Sequence, residues 1–448
     1  MNPSKQIIQE LPGGLILRRS SYEDMEALAN FNGKIHADPG EDFAEHAAND
    51  VRALMSETHP TFHPGDFTIV EDPNTGEILS SLCLIDQTWS YDGIEFGVGR
   101  PELVATHKDY RRLGLVRRQF EVVHQWSAER GQKLQAITGI PWFYRQFGYE
   151  MAVNLGGSRR GYLPNIPELK EDQEEPFRFR AAGEGDIPFV TKLYNESRRR
   201  QLISCVRDET IWQYELHRHQ QFEAHYDIQV IETAMGKPAG YLLVRPFLFG
   251  GFLPVSAFEM SEGFSWYEAS HSVLRRLEPM GKALAEKEST PEKPLEMKGF
   301  IFSLGADHPV YHVIPDRIPL KYDPYAFYIR VPDLPDFLHL ISPVLEERLA
   351  RSYMAGHTGE LKLNFFTDGI QMNFERGKLV DVRPLEQPDY EESSANFPDL
   401  TFLQLVFGYR GVQELEDSFA DLYYRKEDAK ILLKSLFPPK PSHVLELS

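Results

Sequence analysis

Residues 110 to 115, Tyr-Arg-Arg-Leu-Gly-Leu, stand where an apolar strand around Leu103 to Thr106 runs into a helical pattern from about Val116 to Arg130. A short basic loop that carries a glycine and opens a helix suits an anion on physical grounds. The first N–H groups of a helix lack partners within it and carry its positive dipole end, Gly114 lets the backbone approach closely, and Arg111 and Arg112 add charge. A diphosphate fits this set best. Basic strand-to-helix turns are also common as plain solvated connections, so the loop alone leaves both readings open. Arg117 and Arg118 lie further into the helix and read as its solvated face. After the helix come Gly131, the strand LQAITG and the segment FYRQFGYE, where Tyr144 on its own reads as an aromatic of the core or its rim.

The elements that must position this stretch can be read on either side of it. The first segment opens with GLILRRSSYEDMEALANFNGKIH, a short strand meeting a helix, with Ser20 and Ser21 as cap candidates. The middle segment opens as FRFRAAGEGDIPFVTKLYNESRRR, and Arg180 stands six residues before Asp186 as Arg18 stands six before Asp24. A duplicated unit of roughly 160 residues is one explanation, and chance likeness between strand-turn-helix openings is the other. Leu163 to Pro176, rich in proline and acids, reads as an exposed linker, and VPDLP at Val331 to Pro335 starts a further unit. The expected divisions are residues 1–165, 176–330 and 331–448. In the last, GELKLNFFTDGIQMNFERGKLVDVRP alternates apolar and polar residues around turns ending at Gly369 and Gly377, an antiparallel meander. Helical spacing after it, including Glu416 to Phe437, makes this unit α+β.

Composition narrows the classes. Lys plus Arg number 48 against 67 Asp plus Glu, a net charge of −19. Such a surface repels phosphate backbones and attracts cations, so no nucleic-acid partner is expected. No apolar stretch reaches the ~18 residues a membrane helix needs, and the N-terminus lacks the apolar core of a signal peptide, so a soluble, cytoplasmic protein is expected. The two cysteines, Cys83 and Cys205, form no CxxC pair, HExxH is absent, and Pro60 and Pro64 break any helix joining His59 to His63; no metal is assigned.

The order of strand, RRxG loop, long helix, strand and YxxFGY resembles the acetyl-CoA-binding core of the GNAT acetyltransferases. Arg111 and Gly114 match that family's loop, and Val116 replaces its small sixth residue. With a second unit that lacks such a loop and a C-terminal part similar to sterol-carrier domains, the chain resembles the enhanced intracellular survival (Eis) acetyltransferases along essentially its whole length. The resemblance implies an α+β fold of tandem GNAT units followed by a sterol-carrier-like domain, and acetyl transfer to the primary amine of a cationic, aminoglycoside-like molecule. By the same resemblance Val104 and Thr106 face the pantetheine of acetyl-CoA, the loop Arg111, Arg112, Gly114 and Leu115 holds the pyrophosphate, and Tyr144 protonates the departing thiolate. The chain's terminal carboxylate, here on Ser448, is the implied base, and Asp38, Glu41 and Asp42 stand where the family's substrate pocket begins. A homo-oligomer, a hexamer in the resembled enzymes, is also implied. Acetylation of peptide amines is the alternative within enzymes, and lipid binding by the last domain the alternative outside them.

Overall fold

The computed structural model describes residues 6–170, 172–218, 226–291, 294–386 and 388–447. The chain begins with strands β1 (Ile7–Glu10) and β2 (Ile16–Arg19), helices α1 (Met25–Ile35) and α2 (Glu45–Leu54), and strands β3 (Phe67–Asp72), β4 (Glu77–Tyr91) and β5 (Ile94–Thr106). Helix α3 (Leu115–Glu129) and strands β6 (Leu134–Ile137), β7 (Glu150–Leu155) and β8 (Ser158–Tyr162) follow. A similar order then recurs: β9 (Phe177–Ala181), α4 (Ile187–Ser197), β10 (Ile203–Cys205), α5 (Glu209–Arg218), β11 (Asp227–Thr233), β12 (Pro238–Val244), β13 (Phe252–Met260), α6 (Trp266–Glu288) and β14 (Gly299–Phe302). Helix α7 (Pro309–Val313) leads to β15 (Leu320–Tyr322) and β16 (Tyr325–Arg330). The remainder comprises α8 (Leu334–Leu340), α9 (Ser342–Ala350), β17 (Gly359–Asn364), β18 (Gly369–Glu375), β19 (Lys378–Leu385), β20 (Ala395–Asn396), α10 (Phe402–Val406), α11 (Val412–Ser418), β21 (Tyr423–Tyr424) and α12 (Glu427–Leu436).

Local sequence explains the elements that matter for the cleft. In α3 the buried residues Leu115, Gln119, Phe120, Val123, Trp126 and Ser127 recur every three or four positions and form one face. Buried Gln119 accepts from the Ser80 hydroxyl at 2.7 Å and donates to the Thr68 hydroxyl at 3.1 Å, which fixes that face on the sheet. The hairpin β4–β5 closes through Asp92-Gly93, both at positive φ, with Tyr91 opposite Ile94. A two-residue turn of this kind matches strand twist and sets the register of everything downstream on β5.

Two sheets hold strands β1 to β16. The first runs β1-β2-β3-β4-β5-β6-β16-β7, with β10 on the far end of β4, and the second runs β9-β11-β12-β13-β14-β8-β15. In each, one pair is parallel: β5 with β6, and β13 with β14. Beyond that pair the units exchange strands, β16 entering between β6 and β7 while β8 enters between β14 and β15. The expected divisions at 165, 176 and 330 are therefore crossed, because Ser158–Tyr162 lies in the second sheet and Tyr325–Arg330 and Ile203–Cys205 lie in the first. Alternation marks a segment as strand but not the edge it will pair with.

The matched arginines have matched surroundings. Arg18 binds Asp24 with both guanidinium nitrogens (2.8 and 2.9 Å) and Glu71 on β3 at 2.7 Å. Arg180 binds Asp186 (2.6 and 2.8 Å) and Glu232 on β11 at 2.8 Å. Each aspartate also accepts the backbone N–H three residues earlier, at Ser21 and Gly183, and so starts the helix that follows. The C-terminal sheet, ordered β19-β18-β17-β20-β21, contains the expected meander. The helical expectation for Glu416 to Phe437 fails at Tyr423–Tyr424, two strand-forming residues that pair with Ala395–Asn396. One apolar cluster runs from Trp89, Tyr91 and Phe96 through Phe327 and Phe337 to Leu363, Phe402 and Phe437, so the last unit shares its core with the first sheet.

The two arginine clusters differ in burial, and stability should report it. Arg18 is 2% exposed whereas Arg180 is 42% exposed. Asp24→Ala leaves a buried guanidinium short of a partner and should cost about 3 kcal/mol, while Asp186→Ala should cost about 1 kcal/mol or less. Denaturant midpoints of the two variants check the order.

Candidate active site

Strands β5 and β6 pair only at Val98–Leu134 and Gly99–Gln135. Past these residues they part, and the gap widens into a cleft of about 850 Å³. Strand β5 carries one extra residue there, since Ser81 faces Ala105 while Cys83 faces Glu102, and Leu103 takes φ 51° to accommodate it. Leu103 and Arg112, two of the seven non-glycine residues at positive φ among the described residues, line this cleft, and Trp142, a third, immediately precedes its lining residue Phe143. Such conformations persist where the surroundings impose them, and they gather at functional sites.

Val104, Thr106, Arg111, Arg112, Gly114, Leu115 and Tyr144 all line the cleft. Gly114 caps α3 at φ 78°, a conformation that favours glycine, and no acid stands in the first turn of the helix. Arg111 and Arg112 are exposed beside that helix end. Amides, dipole and two exposed cations on one wall fit a diphosphate. Arg117, expected on the solvated face, instead lines the cleft, donating to Gln146 Oε1 at 2.9 Å above the Phe147 ring. Arg118 does face solvent, paired with Glu121.

The two tyrosines of FYRQFGYE part company in the fold. Tyr149 is buried and its hydroxyl lies 2.8 Å from His124 Nε2. Burial holds His124 down to about 3, so this imidazole is neutral and the pair is a structural hydrogen bond. Tyr144, on the 3-10 turn Phe143–Phe147, points into the cleft, and no hydrogen bond occupies its hydroxyl among the described residues. Its ring is held by Phe120, Phe143 and Tyr328, the last on the exchanged strand β16. Tyr328 also accepts a hydrogen bond from the Trp142 amide at 2.5 Å, pinning the turn. Burial, followed by the nearby charge of Glu102, raises the Tyr144 phenol well above its ordinary value, so it stays protonated at neutral pH.

Glu102 is the acid that sequence reading passed over. It lines the same cleft, with 22% of its side chain exposed, and hydrogen-bonds Arg100. Burial pushes its carboxyl up to about 7, Arg100 opposing and Glu446 and Asp50 reinforcing the shift. A single carboxylate in the otherwise apolar run PELVAT was the available signal. Arg100 is 2% exposed and also contacts Glu446 at 2.8 Å, from the far end of the chain.

That end is threaded through the interior. Leu202 donates to the Pro441 carbonyl (2.7 Å), His443 to the Ile203 carbonyl (3.0 Å), and Arg207 to the carbonyls of Leu445 and Glu446 (3.1 and 3.2 Å). Gln87 Nε2 donates to the Leu447 carbonyl at 2.8 Å, and Leu445 and Leu447 are buried. The Ser448 carboxylate expected as base lies outside the described residues. Asp38, Glu41 and Asp42 are exposed on the connection between α1 and α2, and none lines the cleft, whose rim on that side is made by Ile35 and His36. Among the described residues no group of three or more His, Cys, Asp or Glu is arranged to hold a metal ion, and no helix is long and apolar enough to cross a membrane.

Replacing Arg111 and Arg112 together with alanine should weaken acetyl-CoA binding by about 2 to 4 kcal/mol, the loss expected for two charge-assisted phosphate contacts. Calorimetric titration of the folded variant checks this, and unchanged affinity would remove the phosphate from that loop.

Residues 19–152 match the family model described as acetyltransferase (GNAT) domain. No curated protein matches the chain. Among solved structures, the GCN5-related N-acetyltransferase from Kribbella flavida is 14% identical with a TM-score of 0.64, covering 97% of this chain and 98% of that one. That from Anabaena variabilis is 13% identical with a TM-score of 0.65, covering 97% and 100%. Eis1 from Mycobacterium abscessus is 14% identical with a TM-score of 0.58, covering 95% and 98%. At such identities the likeness is one of fold, and it extends over nearly the whole chain. The segment 19–152 is a GNAT acetyltransferase domain, a kind of domain that generally uses acetyl-CoA, and the chain that carries it is an acyltransferase.

Proposed function

We propose that this protein transfers the acetyl group of acetyl-CoA to a primary amine on a cationic small molecule, aminoglycoside-like in character, with both substrates bound at once. The observation that carries the reading is the single cleft that joins the arginine loop at one end to the free phenol of Tyr144 at the other. The loop Arg111, Arg112, Gly114 and Leu115 binds the pyrophosphate, with Arg117 as a further cation. The parted edge of β5 at Val104 and Thr106 receives the pantetheine, which delivers the thioester beside Tyr144. Tyr144 then gives its proton to the thiolate as the C–S bond breaks.

The acceptor reading rests on charge. A second cavity of about 700 Å³ next to Leu447 is lined by Asp66, Asp86, Glu95 and Asp208. Arg130 binds both Asp66 and Asp86 and so holds their carboxylates in place. With a net charge of −19, the surface draws cations toward these acids and the exposed loop acids Asp38, Glu41 and Asp42. The sterol-carrier-like last unit serves as a closing element. Phe365, Phe397, Phe402 and Phe437 pack into its core with ring centroids 5.2 to 5.7 Å apart, an arrangement that favours structure over lipid carriage.

Tyr144→Phe should bind acetyl-CoA as the parent does and lower kcat by ~10² to 10⁴. Tyr149→Phe, which loses only the bond to His124, should lower thermal stability and leave kcat nearly unchanged. Turnover of acetyl-CoA against aminoglycosides, polyamines and lysine peptides tests the acceptor class, and exclusive use of the peptides would replace it.

A further inference from the structure

Acyl transfer to nitrogen needs a group to take the proton the amine sheds, and the cleft contains one carboxylate close to Tyr144. Glu102 sits on the bulged part of β5, at the point where the strands part. It belongs to a charged row that continues to the buried Arg100 and then to the part-buried Glu446, which the C-terminal tail brings from 344 positions further along the chain (446 minus 102). We infer that Glu102 is the catalytic base, and that Glu446 is a positioning residue that reaches it through Arg100. The inference rests on the acetyl-transfer reading and goes beyond it by naming the base and the part of the tail that acts on it.

The geometry explains why such a row is retained. Arg100 is nearly sealed from water, and a buried guanidinium with one carboxylate would have little reason to leave that partner basic. Glu446 supplies a second carboxylate, divides the hold of Arg100, and adds negative charge near Glu102. The other charged or titratable groups around Glu102 are Asp50 on α2, Tyr144 across the cleft and Cys83 on β4, whose Sγ donates to the Glu102 carbonyl at 3.3 Å; His36 lines the same cleft. Burial together with Glu446 and Asp50 outweighs Arg100, which places Glu102 near neutrality, where a base is most useful. In the reaction the neutral amine attacks the thioester carbonyl, and the C–N bond forms as the C–S bond breaks. Glu102 takes the proton from nitrogen, Tyr144 protonates the thiolate, and exchange with water returns a proton to Tyr144 and removes one from Glu102.

The test uses the full chain with one acceptor amine throughout, so that the amine's own titration is common to every variant. Glu102→Gln should keep acetyl-CoA affinity and lower kcat by ~10² to 10⁴. Glu446→Gln removes a neighbouring negative charge and leaves Arg100 to Glu102 alone, so the acidic limb of the kcat/KM profile should move to lower pH by about one unit. Glu446→Asp should bring it part of the way back. A merely structural role for Glu446 would change activity at all pH values and leave the limb in place. The same shift should appear in the 13C titration of the Glu102 carboxyl with no substrate present, a readout that does not require turnover. Wild-type kcat in Glu102→Gln, or an unmoved limb and an unmoved 13C titration in Glu446→Gln, would overturn the inference. Absence of acetyl-CoA binding by the parent protein would instead defeat the acetyl-transfer reading, and the 13C titration would still decide the coupling of Glu446 to Glu102.

Discussion

Strand β16 occupies the space between β6 and β7, neither of which lies within 150 residues of it along the chain, and the cleft depends on that pairing. Without β16 the facing edges of β6 and β7 would leave backbone donors and acceptors unpaired inside the protein. With it, β6 is held on the side away from β5, and β5 is held by β4, so the two parallel strands are drawn apart past Gly99. Tyr328 arrives on the same strand, supports the ring of Tyr144 and fixes the turn before it through the Trp142 amide. The exchange of β8 in return makes the arrangement reciprocal, so neither sheet is complete without the other unit. This accounts for keeping a second unit whose strand-to-helix turn, Ser261 to Ser265, contains an acid and no arginine.

Charge inside the protein is organised by the same tail that closes it. Arg100, Arg207 and Arg18 are each no more than 2% exposed, and each is paired with at least one carboxylate. For Arg100 and Arg207 those partners come partly from residues 445 and 446. At the other end of β5 the turn residue Asp92 binds Arg348 of α9 at 2.9 Å and Lys440 at 2.7 Å. Burial would raise that carboxyl, but the two cations hold it below its usual range. The long hairpin β4–β5 is thereby tied at its turn to the C-terminal unit and at its bulge to the tail. Each such bond gives only about 1 to 3 kcal/mol net, yet leaving one of these buried charges without its partner costs more.

The tail also links acid sensitivity to closure. His443 is partly buried between the units, and burial lowers its imidazole to about 4. A group depressed in the folded state favours unfolding as pH falls from its free value near 6.5 toward that figure. Acid therefore acts on the segment that carries Glu446 before it acts on most carboxylates of the surface.

The sequence by itself determined the parts whose chemistry is local. A basic loop with Gly114 at a helix start, the Asp-Gly turn between two alternating runs, the arginine and aspartate six apart in both openings, and the meander around Gly369 and Gly377 are each decided within a few residues by dihedral preference, capping and period. Glu102 escaped notice because one acid in an apolar strand is a weak local signal; its character comes from burial, from Arg100 two residues away and from Glu446 brought by the tail. The exposed Asp38, Glu41 and Asp42 show the converse, acids attractive in sequence that the fold leaves on an outer loop. Which edge β8 and β16 would join was decided by tertiary structure alone, whereas the choice of Tyr144 over Tyr149 and the inward run of the tail were implied by resemblance and by no local chemistry of those residues. Pairing of distant edges and partnering of buried charges are long-range conditions, satisfied only when the whole chain has closed.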